Sequence, residues 1–429
     1  MARAQVHEIG YAAAEPAAIW AVAGDFCSRW HPAIDRIGQE RGAGGSVIRA
    51  FTVKGALTPY REQMTYRSDS DRVLAYTHLQ GIDGVWRYDA RLSVAADEQG
   101  GSIITWTADL TAPATRAEAI AAGTSAIFQA GLAALAAITA KPITAATAAN
   151  PVPVVVETLL LGDAPRLAVT VTPAKPGPLC LFLHGIGGGR VNWTAQVQAV
   201  APILRAAALD LRGYGDSTLG SGQSTVDDYC DDIRRVAVGL GAEKLVLCGL
   251  SYGSWIATSF AMRYPEMLIG LVLSGGCTGM SEAGIAEREA FRLSREVPLN
   301  AGQTPADFAP AVVKVLASPQ ASPETRATLL NTMAAIPTAT YRDALICFTN
   351  PPERFDFARL TMPVLLMTGQ HDRLAPPSEI RSVAGRIVDL VPRSDVRFEV
   401  ITAAGHVCNV EQPAAYNARL TEFLRRLAP

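Results

Sequence analysis

Lys244-Leu-Val-Leu-Cys-Gly249-Leu-Ser251-Tyr-Gly253-Ser-Trp-Ile-Ala257 decides how this chain is read. Residues 245–248 form an apolar run that reads as a buried strand, and from Ser254 the apolar residues continue at helical spacing through Phe260, Met262 and Tyr264. Between the two stands Gly249-x-Ser251-x-Gly253. A sharp strand-to-helix turn forces its central residue into a strained backbone conformation, and side chains at the flanking positions would strike neighbouring backbone. Ser251 is therefore expected to stand out of the sheet edge at a helix start. There it can attack a carbonyl if a base takes its proton and backbone N–H groups receive the oxyanion. The same five residues would also suit an ordinary glycine-rich turn with a serine helix cap, so the rest of the chain has to supply the base and an acid.

Two later strand ends do so. Pro363-Val-Leu-Leu-Met-Thr-Gly369 reads as a strand running into Gln370-His371-Asp372, and residues 396–401 read as a last strand running into Ala404-Gly405-His406. A carboxylate just past a strand end can orient a histidine across the sheet edge, which makes Asp372 the expected acid and His406 the expected base. His371 is the rival base, but it adjoins the acid and would leave His406 without a role. Nucleophile, acid and base then follow in the order Ser251, Asp372, His406, each behind a strand. A further buried strand at 179–183 ends in His184-Gly185-Ile186-Gly187-Gly188-Gly189. Its glycines let backbone N–H groups approach a ligand, and Ile186 and Tyr252 are the expected oxyanion donors. That loop carries neither GK[ST] nor the dinucleotide pattern with a distant acid, so no phosphate-bearing cofactor is expected. Asp210, Arg212 and Asp216 sit together at another strand end, where a structural turn network is the expectation rather than acid–base chemistry.

From residue 153 onward strands and helices alternate, the pattern of a largely parallel sheet covered on both faces. Through the motifs above, this part resembles the α/β-hydrolase superfamily. Within it the likeness is to the 3-oxoadipate enol-lactonase group of esterases, carried by Leu209-Asp-Leu-Arg-Gly-Tyr-Gly-Asp-Ser217, Cys248-Gly-Leu-Ser-Tyr-Gly253 and Gly405-His-Val-Cys-Asn-Val-Glu-Gln-Pro413 with Tyr416-Asn417. The resemblance implies an α/β hydrolase fold. At about 278–356 the alternation lapses into helical, proline-punctuated sequence, and an insertion between two sheet strands there is expected to cap the catalytic edge and select the substrate. The resemblance also implies a serine hydrolase that opens a small-molecule ester or lactone through an acyl-enzyme, without metal or cofactor. Ser254 stands where that group has a third glycine. A C–C bond hydrolase of a ring-cleavage product, or a non-catalytic small-molecule binding protein, would use the same scaffold.

Residues 1–140 follow another order: strands first, one long helix last. Segments 5–11, 46–53, 60–66, 73–79, 85–94 and 102–110 are β-rich, and Pro16 marks the start of a short helix. With Trp20, Asp25-Phe-Cys-Ser-Arg-Trp30-His31-Pro32, Gly44-Gly45-Ser-Val-Ile-Arg49 and Glu62, this order resembles the START/Bet v 1-like superfamily, polyketide cyclases included. The resemblance implies an α+β helix-grip domain preceding the hydrolase, with an apolar cavity able to hold an apolar ligand. His31 is expected to be structural, and most of Trp20, Trp30, Trp86 and Trp106 to fill core. A proline-punctuated stretch at 141–152 reads as the linker.

Composition narrows the class. A net charge of −2 with no Lys/Arg run removes the electrostatic argument for nucleic acid. Seven cysteines, odd in number and without a CxxC pair, indicate neither a disulfide framework nor a zinc site and suit a reducing, cytoplasmic setting. Glu8 interrupts the region where an export signal would need its apolar stretch. Residues 119–140 are uncharged and long enough to span a bilayer, but they are mostly alanine. Ile120, Ile127, Phe128, Leu132, Leu135 and Ile138 suggest one apolar stripe on a helix lying against a sheet.

Overall fold

A computed structural model describes residues 1–42, 45–55, 58–98, 100–138, 154–352, 354–391 and 394–427. The expected linker at 141–152, and Gly44 of the resemblance, lie outside these described residues. The chain divides into two compact units, Met1–Ala149 with Pro392–Phe398, and Asn150–Val391 with Glu399–Pro429.

The first unit runs β1 (Ala2–Ala12), α1 (Pro16–Ala23), β2 (Ile34–Arg41), β3 (Val47–Val53), β4 (Tyr60–Ser68), β5 (Val73–Gln80), β6 (Arg87–Ala96), β7 (Ser102–Ala112) and α2 (Ala114–Ala136). Its strands form an antiparallel sheet in the order β1-β7-β6-β5-β4-β3-β2. Strand β2 was not expected from the sequence. Its residues Ile-Asp-Arg-Ile-Gly-Gln-Glu-Arg carry four charges and little β-branched bulk, which suits a solvated edge strand and hides it from a hydrophobic pattern.

Helix α2 packs directly on the sheet: Phe128 stacks on Trp106 with ring centroids 4.3 Å apart, and Leu132 and Leu135 are buried. Gly131 is required here, because a Cβ would come within 2.7 Å of both His31 and Trp106. The helix is long and apolar enough to cross a membrane by length and composition. Its buried face follows Ala117, Thr124, Phe128, Gly131, Leu132 and Leu135, with Ile120 and Ile138 packed against the same core; of the expected stripe only Ile127 is left exposed.

His31 is a satisfied structural histidine. Its Nε2–H donates to the Ile127 carbonyl (2.9 Å), its Nδ1 accepts the Ala33 N–H (3.1 Å), and burial lowers its pKa. Trp20 and Trp106 lie in the core and Trp30 is half-buried, but Trp86 is 68% exposed. The interior is not wholly apolar, since Arg49 and Glu62, cross-strand neighbours on β3 and β4, form a buried ion pair at 2.6 Å.

The second unit opens with an antiparallel hairpin, β8 (Glu157–Leu161) and β9 (Leu167–Val171). It continues with β10 (Leu179–Leu183), α3 (Thr194–Val200), β11 (Arg205–Leu209), α4 (Val226–Gly239), β12 (Leu245–Leu250), α5 (Tyr252–Arg263) and β13 (Leu268–Ser274). Four helices then intervene: α6 (Ile285–Asn300), α7 (Pro305–Leu316), α8 (Pro323–Ala334) and α9 (Thr338–Thr349). The sheet resumes with β14 (Val364–Gly369), α10 (Pro377–Leu390), β15 (Val396–Ile401, whose residues 396–398 are counted with the first unit), α11 (Cys408–Glu411) and α12 (Pro413–Leu427).

The sheet order is β8-β9-β11-β10-β12-β13-β14-β15, and β11, β10, β12, β13 and β14 pair in parallel. Their residues are almost all buried, as continuous apolar runs covered on both faces require. Chain order reverses at β10, with β11 on one side and β12 on the other. The crevice beyond the carboxyl ends of such neighbours is where open α/β sheets bind ligands.

Candidate active site

Ser251 follows β12 with φ 54° and ψ −114°, the strained turn expected of it. Its N–H donates to the Ser274 carbonyl at 2.8 Å, and its carbonyl accepts from Ser254 and Trp255 as α5 begins. The flanking glycines are forced by contact with backbone. A Cβ on Gly249 would reach Gly253 and the Ser254 nitrogen, and a Cβ on Gly253 would reach the carbonyls of Leu183 and His184.

The loop after β10 faces this elbow. His184 is fully buried; its Nδ1–H donates to the Gly185 carbonyl (2.8 Å) and its Nε2 accepts the Leu211 N–H (3.1 Å). Burial lowers the His184 pKa, so the ring acts as a neutral strut. A Cβ on Gly185 would lie 3.4 Å from Ser251 Cβ, which places the loop against the serine. The N–H groups of Ile186 and Tyr252 have no acceptor among the turn and loop hydrogen bonds of the described residues. Tyr252, as the first residue of α5, has no carbonyl one turn earlier to bond.

Asp372 lies three residues past β14 and His406 five past β15; both are buried, at 4% and 5% exposure. His406 Nδ1 sits 3.0 and 2.9 Å from the two Asp372 carboxylate oxygens. The carboxylate also accepts the Leu374 and Ala375 N–H groups, each at 2.9 Å, and the Thr368 hydroxyl at 3.2 Å. Burial by itself would raise the Asp372 pKa; the imidazole beside it and the two backbone donors outweigh burial and hold the carboxyl below its ordinary value. With Nδ1–H given to Asp372, the His406 Nε2 is left as an acceptor. Ser251 and His406 line one cavity, with no hydrogen bond between them among the described residues. His371 is half-buried, and its backbone N–H is spent on Ala404.

Asp210 and Asp216 are tied to Arg190, and Arg212 to Asp228 and Asp232, the turn network expected of this strand end. Two residues were not singled out from sequence. Glu411 accepts the N–H groups of Gly405 and Ser318, each at 2.9 Å, which clamps the His406 loop to the turn after α7. The His406 N–H adds a bond to the Leu316 carbonyl at 2.7 Å. Glu411 had one signal, its place five residues behind His406 in a phrase already quoted. Asn192, on the wall of the Ser251 cavity, accepts the Gly189 N–H through Oδ1 (2.9 Å) while its amide nitrogen finds no partner; nothing in the sequence marked it. Among the described residues no three His, Cys, Asp or Glu side chains are grouped to hold a metal ion.

The first unit matches the family model for polyketide cyclase/dehydrase and lipid transport over residues 4–139. The second resembles a solved thermophilic esterase from Thermogutta terrifontis, 26% identical with a TM-score of 0.56, covering 64% of this chain and 99% of that one. It shares its fold with the enol-lactonase from Burkholderia xenovorans, 19% identical with a TM-score of 0.52 over 62% of this chain and 99% of that one. The 3-oxoadipate enol-lactonase 2 of Acinetobacter baylyi is 24% identical over 256 residues, 58% of this chain and 89% of that protein. The alpha/beta hydrolase fold model matches residues 178–413, more than half of the chain, and the chain accordingly belongs to that family as an enzyme of the hydrolase kind.

Proposed function

We propose that this enzyme cleaves a carboxylic ester or lactone through an acyl-enzyme on Ser251. His406 takes the Ser251 proton as the serine attacks the carbonyl, Asp372 orients the imidazole and supports its positive charge, and the N–H groups of Ile186 and Tyr252 receive the oxyanion. His406 then returns the proton to the leaving alcohol, and water repeats the sequence to free the acid. The observation that carries the reading is the bidentate approach of Asp372 to His406 Nδ1, which leaves Nε2 as acceptor in the cavity that Ser251 lines. The esterase and enol-lactonase likenesses support the same bond type.

In the same reading residues 1–140 are a separate helix-grip module joined through 141–152, and residues 153–429 are the hydrolase with its cap at about 278–356. The family match over 4–139 supports a ligand-holding role for the module, and the seven free thiols suit a cytoplasmic enzyme. The test is a fluorophosphonate probe followed by peptide mapping, with p-nitrophenyl acetate hydrolysis measured alongside. Label on Ser251 and loss of hydrolysis in Ser251→Ala are expected; full hydrolysis by Ser251→Ala would overturn the proposal.

A further inference from the structure

The cavity that Ser251 lines is small and uncharged. Its walls are Leu250 and Val407 from the sheet side and Val313, Leu316, Leu329 and Met333 from α7 and α8, closed by the glycine-rich loop, Asn192 and His406. No lysine or arginine is among its lining residues, as far as the described residues go. The nearest cation on the loop, Arg190, is held by Asp210 and Asp216 and lines the neighbouring cavity instead. A carboxylate entering the Ser251 cavity would lose its hydration with no countercharge to replace it, and burying an unpaired charge is strongly unfavourable. The cavity volume is about 50 Å³.

From these observations we infer that the substrate is an uncharged ester or lactone whose group seated beneath α7 and α8 is a short aliphatic one, and that carboxylate-bearing esters are rejected. The inference rests on the assignment of Ser251 as nucleophile. It separates this enzyme from hydrolysis of an oxoadipate-derived lactone, because such a lactone keeps a free carboxylate. Met333 and Leu329 set the length limit: Met333 Sδ stands 3.6 Å from where a Cβ on Gly187 would be, so its thioether closes the cavity over the loop. They are specificity residues supplied by the helices between β13 and β14.

The experiment is kcat/KM of the full chain on two matched series. One varies the acyl group: p-nitrophenyl acetate, butanoate, pentanoate and octanoate, with mono-p-nitrophenyl succinate as the anion matched to pentanoate. The other varies the alcohol: pentyl acetate, octyl acetate and the anion 4-acetoxybutanoate. In the series whose varied group enters the cavity, the eight-carbon member should fall at least ten-fold below the shorter ones and the anion about 100-fold below its neutral match. Met333→Ala and Leu329→Ala should each move the optimum to longer chains without admitting the anion. Far-UV circular dichroism and cooperative urea unfolding like those of the wild type show that both variants are folded. Equal rates for anion and neutral match in both series, or chain-length profiles unmoved by both variants, would overturn the inference while leaving Ser251 as nucleophile. Label at another residue, or activity retained by Ser251→Ala, would instead remove the reading beneath it.

Discussion

Glu411→Gln should loosen the His406 loop by a definable amount. Glu411 Oε1 accepts the Gly405 N–H and Oε2 the Ser318 N–H, both at 2.9 Å, and the residue is only 9% exposed. Gln keeps one carbonyl oxygen and turns an NH₂ toward the second N–H, so one buried donor faces another donor. A hydrogen bond to a charged group contributes about 1.5–3 kcal/mol, and Glu411→Gln should cost that much. Glu411→Ala strands both N–H groups and should cost about twice as much, in the range of about 3–6 kcal/mol. Urea unfolding of the full chain followed by tryptophan fluorescence reads the stability. The rate of fluorophosphonate labelling reads the site, and it should fall in the same order as His406 loses its position. Stability of both variants within about 0.5 kcal/mol of wild type would show that the clamp is an ordinary surface contact. Gln as damaging as Ala would show that negative charge, not the pair of backbone bonds, is what matters.

Asp372→Asn keeps the shape of the acid but presents an NH₂ or a neutral oxygen to His406 Nδ1, which favours the wrong tautomer; kcat should drop by about 10⁴ with KM little changed. The same carboxyl has its folded pKa held below the unfolded value near about 3.9, so its stabilisation is fully present above that pH and is lost as pH falls through the folded value. The stability gap between wild type and Asp372→Asn should therefore persist from pH 7 to 5 and close only below about pH 4; closure between 7 and 5 would contradict the pairing. In the first unit, Arg49→Met leaves Glu62 buried without its partner and should cost about 3–5 kcal/mol. Arg49→Met with Glu62→Leu should recover most of that loss by the same urea assay, and a double variant as unstable as the single one would refute the pair as the cause.

What could be read from sequence was whatever a single strand end and its loop contain. Ser251, Asp372, His406 and the Gly185 loop each follow one buried strand, and the sheet carries all of those ends to one edge without any knowledge of register. Strand β2 escaped because an edge strand solvated on its outer side needs no hydrophobic alternation, and Ile127 was assigned to the wrong face because an alanine-rich helix lets small residues bury as readily as large ones. Glu411 and Ser318 are 93 residues apart, and His184 and Leu211 are 27 apart. Those contacts depend on how α7 settles over the sheet and on the β10–β11 register, neither of which has a local signature. The same division runs through the site itself. The residues proposed to make and break bonds sit on short loops where the chain's covalent order places them, whereas those that set their orientation and choose the substrate, Glu411, Leu329 and Met333, come from packing between distant segments. A substitution in the second group should therefore change which ester is cleaved, or how fast, without changing the bond type.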